Sequence, residues 1–349
     1  MYPSDDQIIF GVFIKNIERT LKNAGFNVVL HVIRGRGVTI WGKIIKYAKF
    51  YTKSLFTDLS SFDVVHISYP SHSFLPFFLK RKKGAKFIVR LHGHDLVAAH
   101  KETLLFRLLR FISLQACRRA DGIIVPSRFF LCELQKLAPK IAVSVAVIPS
   151  GGIDTTVFKP IPQLEADHGK ICFGYVGRID QGKGVDLFVR ALATLPHSCS
   201  AIIVGGGPYL SKLEEMIREL GLVDRCNIVG PVPYSELPDY YNQIDLLVFP
   251  TLFKESFGNV VLEAMACGVP VLASNHGAPA DFITTGVDGL KATPGDVDSL
   301  QQKMKEFLDL TTEERKLMQK NAIEKAGHYS APIIDEQYCS YISHVSAQI

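Results

Sequence analysis

Short runs of valine, isoleucine and phenylalanine punctuate this chain, and longer stretches with helically spaced apolar residues lie between them. In the first half the runs are Val28–Ile33, Val64–Ser68, Phe87–Leu91, Gly122–Pro126 and Val143–Pro149. Bounded by glycine, proline and polar clusters, such runs read as strands. Phe13–Asn23 and Glu102–Arg119 are among the helical patterns between them. The second half restarts the theme. Its strand-like runs are Ile171–Val176, Ala201–Val204, Asn227–Val229, Asp245–Phe249 and Val269–Leu272, with helical patterns at Gly184–Leu195, Leu210–Leu220 and Asn259–Cys267. This alternation predicts α/β architecture with parallel sheets.

The theme breaks at FKPIPQLEADHG (residues 158–169), where two prolines, polar residues and a glycine make a linker. A first Rossmann-like domain is therefore expected over 1–160 and a second over 161–330, facing each other across a cleft. A helix over 331–349 is expected to cross back to the first. The 349 residues suffice for two cores.

Composition narrows the class. No run approaches the ~18–20 continuous apolar residues of a spanning helix. Met1 is followed by Tyr-Pro-Ser-Asp-Asp, which is acidic where a secretory signal would be basic. Seven scattered cysteines without a C-x-x-C pair fit a reducing cytoplasm rather than a disulfide framework or zinc site. Residues 1–160 carry 24 Lys and Arg against 10 Asp and Glu, a net of +14; residues 161–349 carry 15 against 24, a net of −9. A basic half of this size points to an anionic surface or substrate. Within it, SFLPFFL (73–79) runs into Lys80-Arg-Lys-Lys83, and LLFRLLRFISLQACRRA (104–120) mixes Leu and Phe with four arginines. That mixture suits the inner face of an anionic membrane, or else a core helix with an ordinary solvated face. There is no nucleic-acid recognition module.

The chemistry concentrates in FPTLFKESFGNVVLEAMACGVPVL (249–272). Glu255 and Glu263 stand eight residues apart, with Ser256, Phe257, Gly258, Asn259 and Val260 between them opening a helix. A carboxylate beyond a strand end and ahead of a helix N-terminus lies where open α/β sheets bind ligands. The helix end favours phosphate, and the carboxylate accepts from adjacent hydroxyls, so the matching ligand is a phosphorylated sugar. The alternative is a pair of solvated helix-end charges. Upstream, YVGRIDQGKG (175–184) is a strand, a glycine turn at Gly177 and a helix start. Arg178 offers a planar fork and Lys183 a point charge to a diphosphate. It is not a G-x-x-x-x-G-K-[ST] loop. Gly205 and Gly207, in VGGGP, make a second turn that lets the chain pass beneath a ligand. RLHGHD (90–95) follows a first-domain strand, with His92, His94 and Asp95 as acceptor-side candidates.

In order, GYVGRIDQGKG, IIVGGGP, ESFGNVVLE with AMACGVPV after it, and IPSGGIDTTVF resemble the retaining nucleotide-sugar glycosyltransferases of family four, which have the GT-B fold. The resemblance implies that Arg178 and Lys183 hold the donor diphosphate, Glu255 the donor sugar hydroxyls and Glu263 the ribose diol. It places His92 beside the donor sugar, and Gly11, Gly177, Gly205, Gly207 and residues 256–260 along the donor. His92, Glu255, Arg178 and Lys183 are then the catalytic set. It implies a UDP- or GDP-sugar donor, a glycan or lipid-linked saccharide acceptor, and no metal or other cofactor. The alternatives are a nucleotide-sugar 2-epimerase, against which the ESFG segment speaks, and a catalytically weak nucleotide-sugar-binding partner subunit. Family members begin with a strand ahead of the segment containing Gly11. Here that strand is either missing or replaced by residues 7–14 (QIIFGVFI).

Overall fold

The computed structural model describes residues 12–35, 39–78, 80–93, 95–98, 102–161 and 170–347. Gly11, His94 and most of the expected linker (162–169) lie outside the described residues. The chain divides into two compact units, Met1–Gly152 with Pro332–Ile349, and Ile153–Ala331.

The first unit holds a parallel sheet of β1 (Val64–Ser68), β2 (Lys86–Arg90), β3 (Gly122–Val125) and β4 (Ser144–Val147), in that spatial order. Its helices are α1 (Val12–Asn23), α2 (Ile40–Phe56), α3 (Pro70–Ser73), α4 (Leu104–Arg119) and α5 (Arg128–Leu137). Hydroxyl caps start three of them: Thr39, Thr103 and Ser127 accept from the backbone N–H three residues on. Every residue of β3 is buried, as a parallel strand covered on both faces requires. Phe87, Val89, Ile123 and Val125 pack with Phe74, Cys117, Phe130 and Leu134 in the core.

Two expectations change here. The run Val28–Ile33 forms no strand, and Val29 is 57% exposed. β-Branched side chains supply propensity, but a strand forms only where a neighbour completes its hydrogen bonds, and this run pairs with no strand among the described residues. Residues 12–14 belong to α1, so the helix, not a strand, occupies that part of QIIFGVFI.

The second unit holds β5 (Cys172–Val176), β6 (Ser200–Val204), β7 (Cys226–Gly230), β8 (Leu246–Phe249), β9 (Val271–Ser274) and β10 (Gly289–Ala292). All pairs are parallel, in the order β10-β9-β8-β5-β6-β7. Its helices are α6 (Val185–Ala193), α7 (Leu210–Glu219), α8 (Leu237–Tyr241), α9 (Asn259–Ala266), α10 (Gly277–Phe282), α11 (Val297–Leu308) and α12 (Thr312–Gly327). The chain joins this unit ahead of the expected linker. Ile153 N–H donates to Tyr329 O at 2.8 Å, Ala331 N–H donates to Ile153 O at 2.9 Å, and Phe158 is fully buried beside Tyr234 and Tyr241.

The last helix, α13 (Ala331–Ser346), packs on the first unit's sheet. Tyr338 Oη and His66 Nε2 are 2.8 Å apart, and the Arg90 guanidinium lies 4.9 Å from the Tyr338 ring centroid. Burial, then the Arg90 charge, push His66 down to about 3, so the ring is neutral. Tyr341 Oη accepts from Ile123 N–H at 3.0 Å and donates to Ser144 O at 2.7 Å, bridging β3 and β4. Among the described residues no helix is long and apolar enough to cross a membrane. Tyr341→Phe strands the Ile123 amide and is expected to cost about 1–3 kcal/mol. Urea unfolding checks this, and an unchanged midpoint would show that α13 is held by its apolar contacts alone.

Candidate functional site

The sheet of the second unit reverses its order between β5 and β8. From β5 the chain proceeds outward to β6 and β7, and from β8 outward to β9 and β10 on the other side. Loops leaving the carboxyl ends of two such strands diverge and open a crevice. The β5 loop (177–184) and the β8 loop (250–258) therefore meet at the one position where the topology makes room for a ligand. Glycine lets them approach. Gly182 (φ +94°) has the Phe253 ring where a Cβ would stand, 2.6 Å away, and a Cβ on Gly184 (φ +75°) would collide with Pro250 O. Leu252 N–H donates to Gly182 O at 2.7 Å and ties the loops together.

That tie brings two of the expected residues into contact. Lys183 Nζ lies 2.5 Å from Glu255 Oε1, with the ammonium 5.6 Å from the Phe253 ring centroid. Thr251 Oγ1 donates to the same Glu255 oxygen at 3.3 Å. The backbone of Glu255 is fixed separately. Its carbonyl accepts from Ala278 N–H at 2.9 Å, and Gly277 (φ +67°) passes so close that a Cβ would stand 2.8 Å from Glu255 N. His276 Nε2 sits 2.8 Å from Thr251 O and steadies the start of the loop. Arg178 is placed differently. Its guanidinium pairs with Asp180 and is largely exposed, while its carbonyl accepts from the buried Tyr175 hydroxyl at 2.8 Å.

Gly177, Gly205 and Gly207 form a second crossing. Gly177 N–H donates to Val204 O at 3.0 Å, and Ile179 N–H donates to Gly206 O at 3.0 Å. A Cβ on Gly205 would strike Gly177 O, and one on Gly207 would strike Ile179 O. These glycines support the β5 loop from beneath.

Ser256 is half-buried and Asn259 is exposed at the start of α9, with Val260 half-buried. Phe257 turns inward, buried against Phe282 and Tyr329 at 5.8 and 6.1 Å, so its side chain anchors the loop. Gly258 (φ +90°) is the N-cap of α9 and offers no side-chain acceptor; Val261 N–H turns back to Gly258 O at 3.1 Å, and the Asn259 and Val260 amides have no side-chain cap. One turn on, Glu263 is 3% exposed and accepts from the Tyr241 hydroxyl at 2.9 Å. Burial pushes its carboxyl up to about 7, against the hydrogen bonds of Tyr241 and Tyr234 that pull it down.

In the first unit, His92 follows β2. Its ring stacks on Tyr69 (centroids 4.2 Å apart, 19° between planes) and lies 4.8 Å from Phe13. Nδ1 is 3.4 Å from Ser150 Oγ, and Nε2 has no partner among the described residues. Burial, then the Arg90 charge, holds the ring well below its ordinary value, so it is neutral. Asp95 is buried and accepts from His92 N–H and Ser71 Oγ, both at 2.8 Å; it orients the loop rather than the imidazole. Tyr69 itself adopts the left-handed conformation (φ 54°), a strained geometry held by this stack.

Two family models match the chain back to back: "Glycosyltransferase Family 4" over residues 19–157 and "Glycosyl transferases group 1" over 158–325. The chain belongs to glycosyltransferase family 4. Its two parallel-sheet α/β domains are those of the GT-B fold, and it superposes on the sucrose-phosphate synthase of Thermosynechococcus elongatus with a TM-score of 0.79 at 22% identity, over 97% of this chain and 94% of the other. A likeness at that identity shows the fold alone. In sequence it is 38% identical over 175 residues to the lipopolysaccharide core biosynthesis mannosyltransferase LpsB of Rhizobium meliloti (45% of this chain, 49% of the relative). It is 30% identical over 260 residues to the GDP-mannose-dependent α-(1-6)-phosphatidylinositol monomannoside mannosyltransferase of Mycolicibacterium smegmatis (66% and 63%). The chain thus spans between half and two thirds of these relatives' lengths.

Several residues of this family-4 site were not foreseen: Thr251, Phe253, Gly277, Tyr241 and Tyr234. Of these only Gly277 carries a signal in the sequence, a glycine at the point where a helix begins. Glu263 supplies a test of the geometry. Its native pKa of about 7 lies above the ordinary 4.5, so burying the carboxylate costs nothing at low pH and progressively more as pH rises through 7. Glu263→Gln keeps an acceptor for Tyr241 and removes the titration. Relative to wild type it should gain on the order of 3 kcal/mol in urea stability between about pH 5 and about pH 8. A difference that stays constant across that range would place the carboxylate in a wetter environment than the structure shows.

Proposed function

We propose that this chain transfers a sugar from a nucleotide-sugar donor, UDP- or GDP-linked, to a glycan or lipid-linked saccharide, with retention of anomeric configuration. The observation that carries the proposal is the Lys183–Glu255 pair at the switch point, standing before the uncapped start of α9. A cation, a hydroxyl-accepting carboxylate and a row of helix amides are the groups that a sugar esterified to a diphosphate requires. On donor binding the diphosphate takes Lys183 and the α9 amides, and the sugar hydroxyls take Glu255. Arg178, exposed and held only by Asp180, swings to the diphosphate. As the bond from the anomeric carbon to the diphosphate oxygen breaks, the leaving oxygen's negative charge is met by Lys183, Arg178 and the helix end. The acceptor oxygen enters on the same face, and the departing phosphate takes its proton. Both glutamates are binders here, unlike the two carboxylates of a retaining glycosidase, of which one is a nucleophile. Glu263 takes the ribose diol.

The relative from Mycolicibacterium smegmatis is named as GDP-mannose-dependent and that from Rhizobium meliloti as a lipopolysaccharide core enzyme. They support a hexose donor and an envelope saccharide acceptor; the inner face of a membrane as the place of transfer rests on the basic first half. The test is a thermal-shift panel with UDP, GDP, ADP and their sugar conjugates. One nucleotide should raise the melting temperature of the wild type, and Lys183→Ala should weaken its binding about 10–100-fold, as expected for loss of a charge-assisted contact. No shift with any nucleotide, or a shift that Lys183→Ala leaves intact, would overturn the assignment of the donor site.

A further inference from the structure

Most cations of the segments first read as membrane-facing, 73–83 and 104–120, are spent inside the first unit, while Arg81 and Arg118 are exposed. Lys80 Nζ donates to the carbonyls of Ser54, Leu55 and Thr57 at the end of α2. Lys82 is 2.6 Å from Asp121, Lys83 is 3.0 Å from Asp58, and Arg110 pairs with Glu102. Arg119 donates to the carbonyls of Phe77, Phe78 and Lys80.

Helix α4 also exposes Leu104, Leu105, Leu108 and Phe111, but Arg107 and Arg110 of that helix pair with Glu102; helix α2 differs in its cations. Tyr47, Phe50, Tyr51 and Ser54 turn inward, as an amphipathic helix requires. The opposite face is not polar. Trp41, Ile44, Ile45, Leu55 and Phe56 are 71, 51, 53, 52 and 82% exposed. Lys43, Lys49 and Lys53 are exposed beside them and form no ion pair with any described residue. Residues 19–57 contain eight Lys and Arg and no Asp or Glu. Folded soluble domains rarely leave so much apolar area contiguous unless it meets a partner. The patch continues, since α2 packs on the turn Leu75–Phe77, where Leu75 is 44% exposed and the following Phe78 is 39% exposed.

We propose that the outward face of α2 docks this protein on an anionic lipid bilayer. The chemistry selects that occupant. An apolar stripe enters the acyl boundary, an indole settles at headgroup depth, and lysine stems lie along the apolar surface with their ammonium groups among anionic headgroups. A carboxylate anywhere on this stretch would oppose the attraction, and none is present. The inference deepens the membrane-surface part of the proposed function, and its test uses neither donor nor acceptor. A failure of the transfer reading therefore leaves the result intact.

Trp41 is the only tryptophan of the chain and sits in the proposed contact, so its fluorescence reports on that face alone. Flotation with vesicles of phosphatidylcholine and phosphatidylglycerol should carry the protein, shift its emission to the blue and allow quenching by brominated acyl chains. Vesicles of phosphatidylcholine alone, or high salt, should release it. A lysine near such a surface is worth about fivefold in affinity, so Lys49→Glu with Lys53→Glu should weaken binding more than about tenfold. Ile44→Ser with Ile45→Ser should do the same while circular dichroism and melting stay at wild-type values, because these side chains are exposed. Three outcomes would overturn the proposal: no flotation with anionic vesicles at low salt; flotation with Trp41 emission unmoved; or a self-associated species in sedimentation that the isoleucine double variant dissolves and vesicles do not compete with.

Discussion

The donor-side unit depends on one close crossing, where the loop after β5 runs against the loop after β8 with glycine backbone between them. Everything chemical hangs on that contact. Replace Gly184 by any residue with a Cβ and Pro250 must retreat; replace Gly182 and the Phe253 ring must move. Either shift would part Lys183 from Glu255, two residues that are 72 positions apart in the chain and meet only because the loops do. The topology supplies the reason for the meeting. Parallel strands β5 and β8 are neighbours in space although three helices and two strands separate them in sequence, and the chain turns away from their junction in opposite directions. The crevice that such a reversal opens is a property of the winding, and the side chains furnish it.

The two glutamates of the same segment show how environment divides similar groups. Glu255 stands half-buried with an ammonium and a hydroxyl on one oxygen, so its charge is balanced and its other oxygen is free to accept. Glu263 is buried among tyrosines with no cation beside it, and its carboxyl is pushed up to about 7. A ligand that donates hydrogen bonds to Glu263 favours the ionised form. A diol binding there would therefore draw the proton off near neutral pH, linking occupancy of the buried site to proton release. The two carboxylates thus differ in their partners: a cation and a hydroxyl for Glu255, tyrosines for Glu263.

How much of this was legible in the sequence follows from what each residue needed. Strands β5 to β9 are short apolar runs between turn residues, and periodicity found them. β10 reads Gly-Leu-Lys-Ala, too short and mixed to stand out, and it exists because β9 offers it an edge. Val28–Ile33 has the opposite fate: it has the composition of a strand and pairs with no strand among the described residues. Lys183 and Glu255 could be singled out because glycine turns and a helix start are local signals, and the structure brings the two side chains into contact. The supporting residues were not. Thr251, Phe253 and Tyr241 matter only through loop geometry that arises when distant segments pack, and no local pattern records it.

The same limit governs the basic first half. By composition alone its cations are interchangeable, and the lysine and arginine runs at 80–83 and 104–120 look the most available. Folding sorts them by what lies within reach. Helix ends and buried carbonyls claim Lys80 and Arg119, and nearby carboxylates claim Lys82, Lys83 and Arg110. Each is then committed to the fold, since leaving would strand the groups it satisfies. On α2, Lys46 donates to the carbonyls of Arg34 and Gly35, while Lys43, Lys49 and Lys53 are exposed and form no ion pair with any described residue. Their stretch of chain contains no acid, and their helix turns its aromatic and hydroxyl side chains, not its ammonium groups, toward the domain. Charge that the fold does not use is charge left for a partner, and on α2 it lies beside apolar area that the fold does not use either.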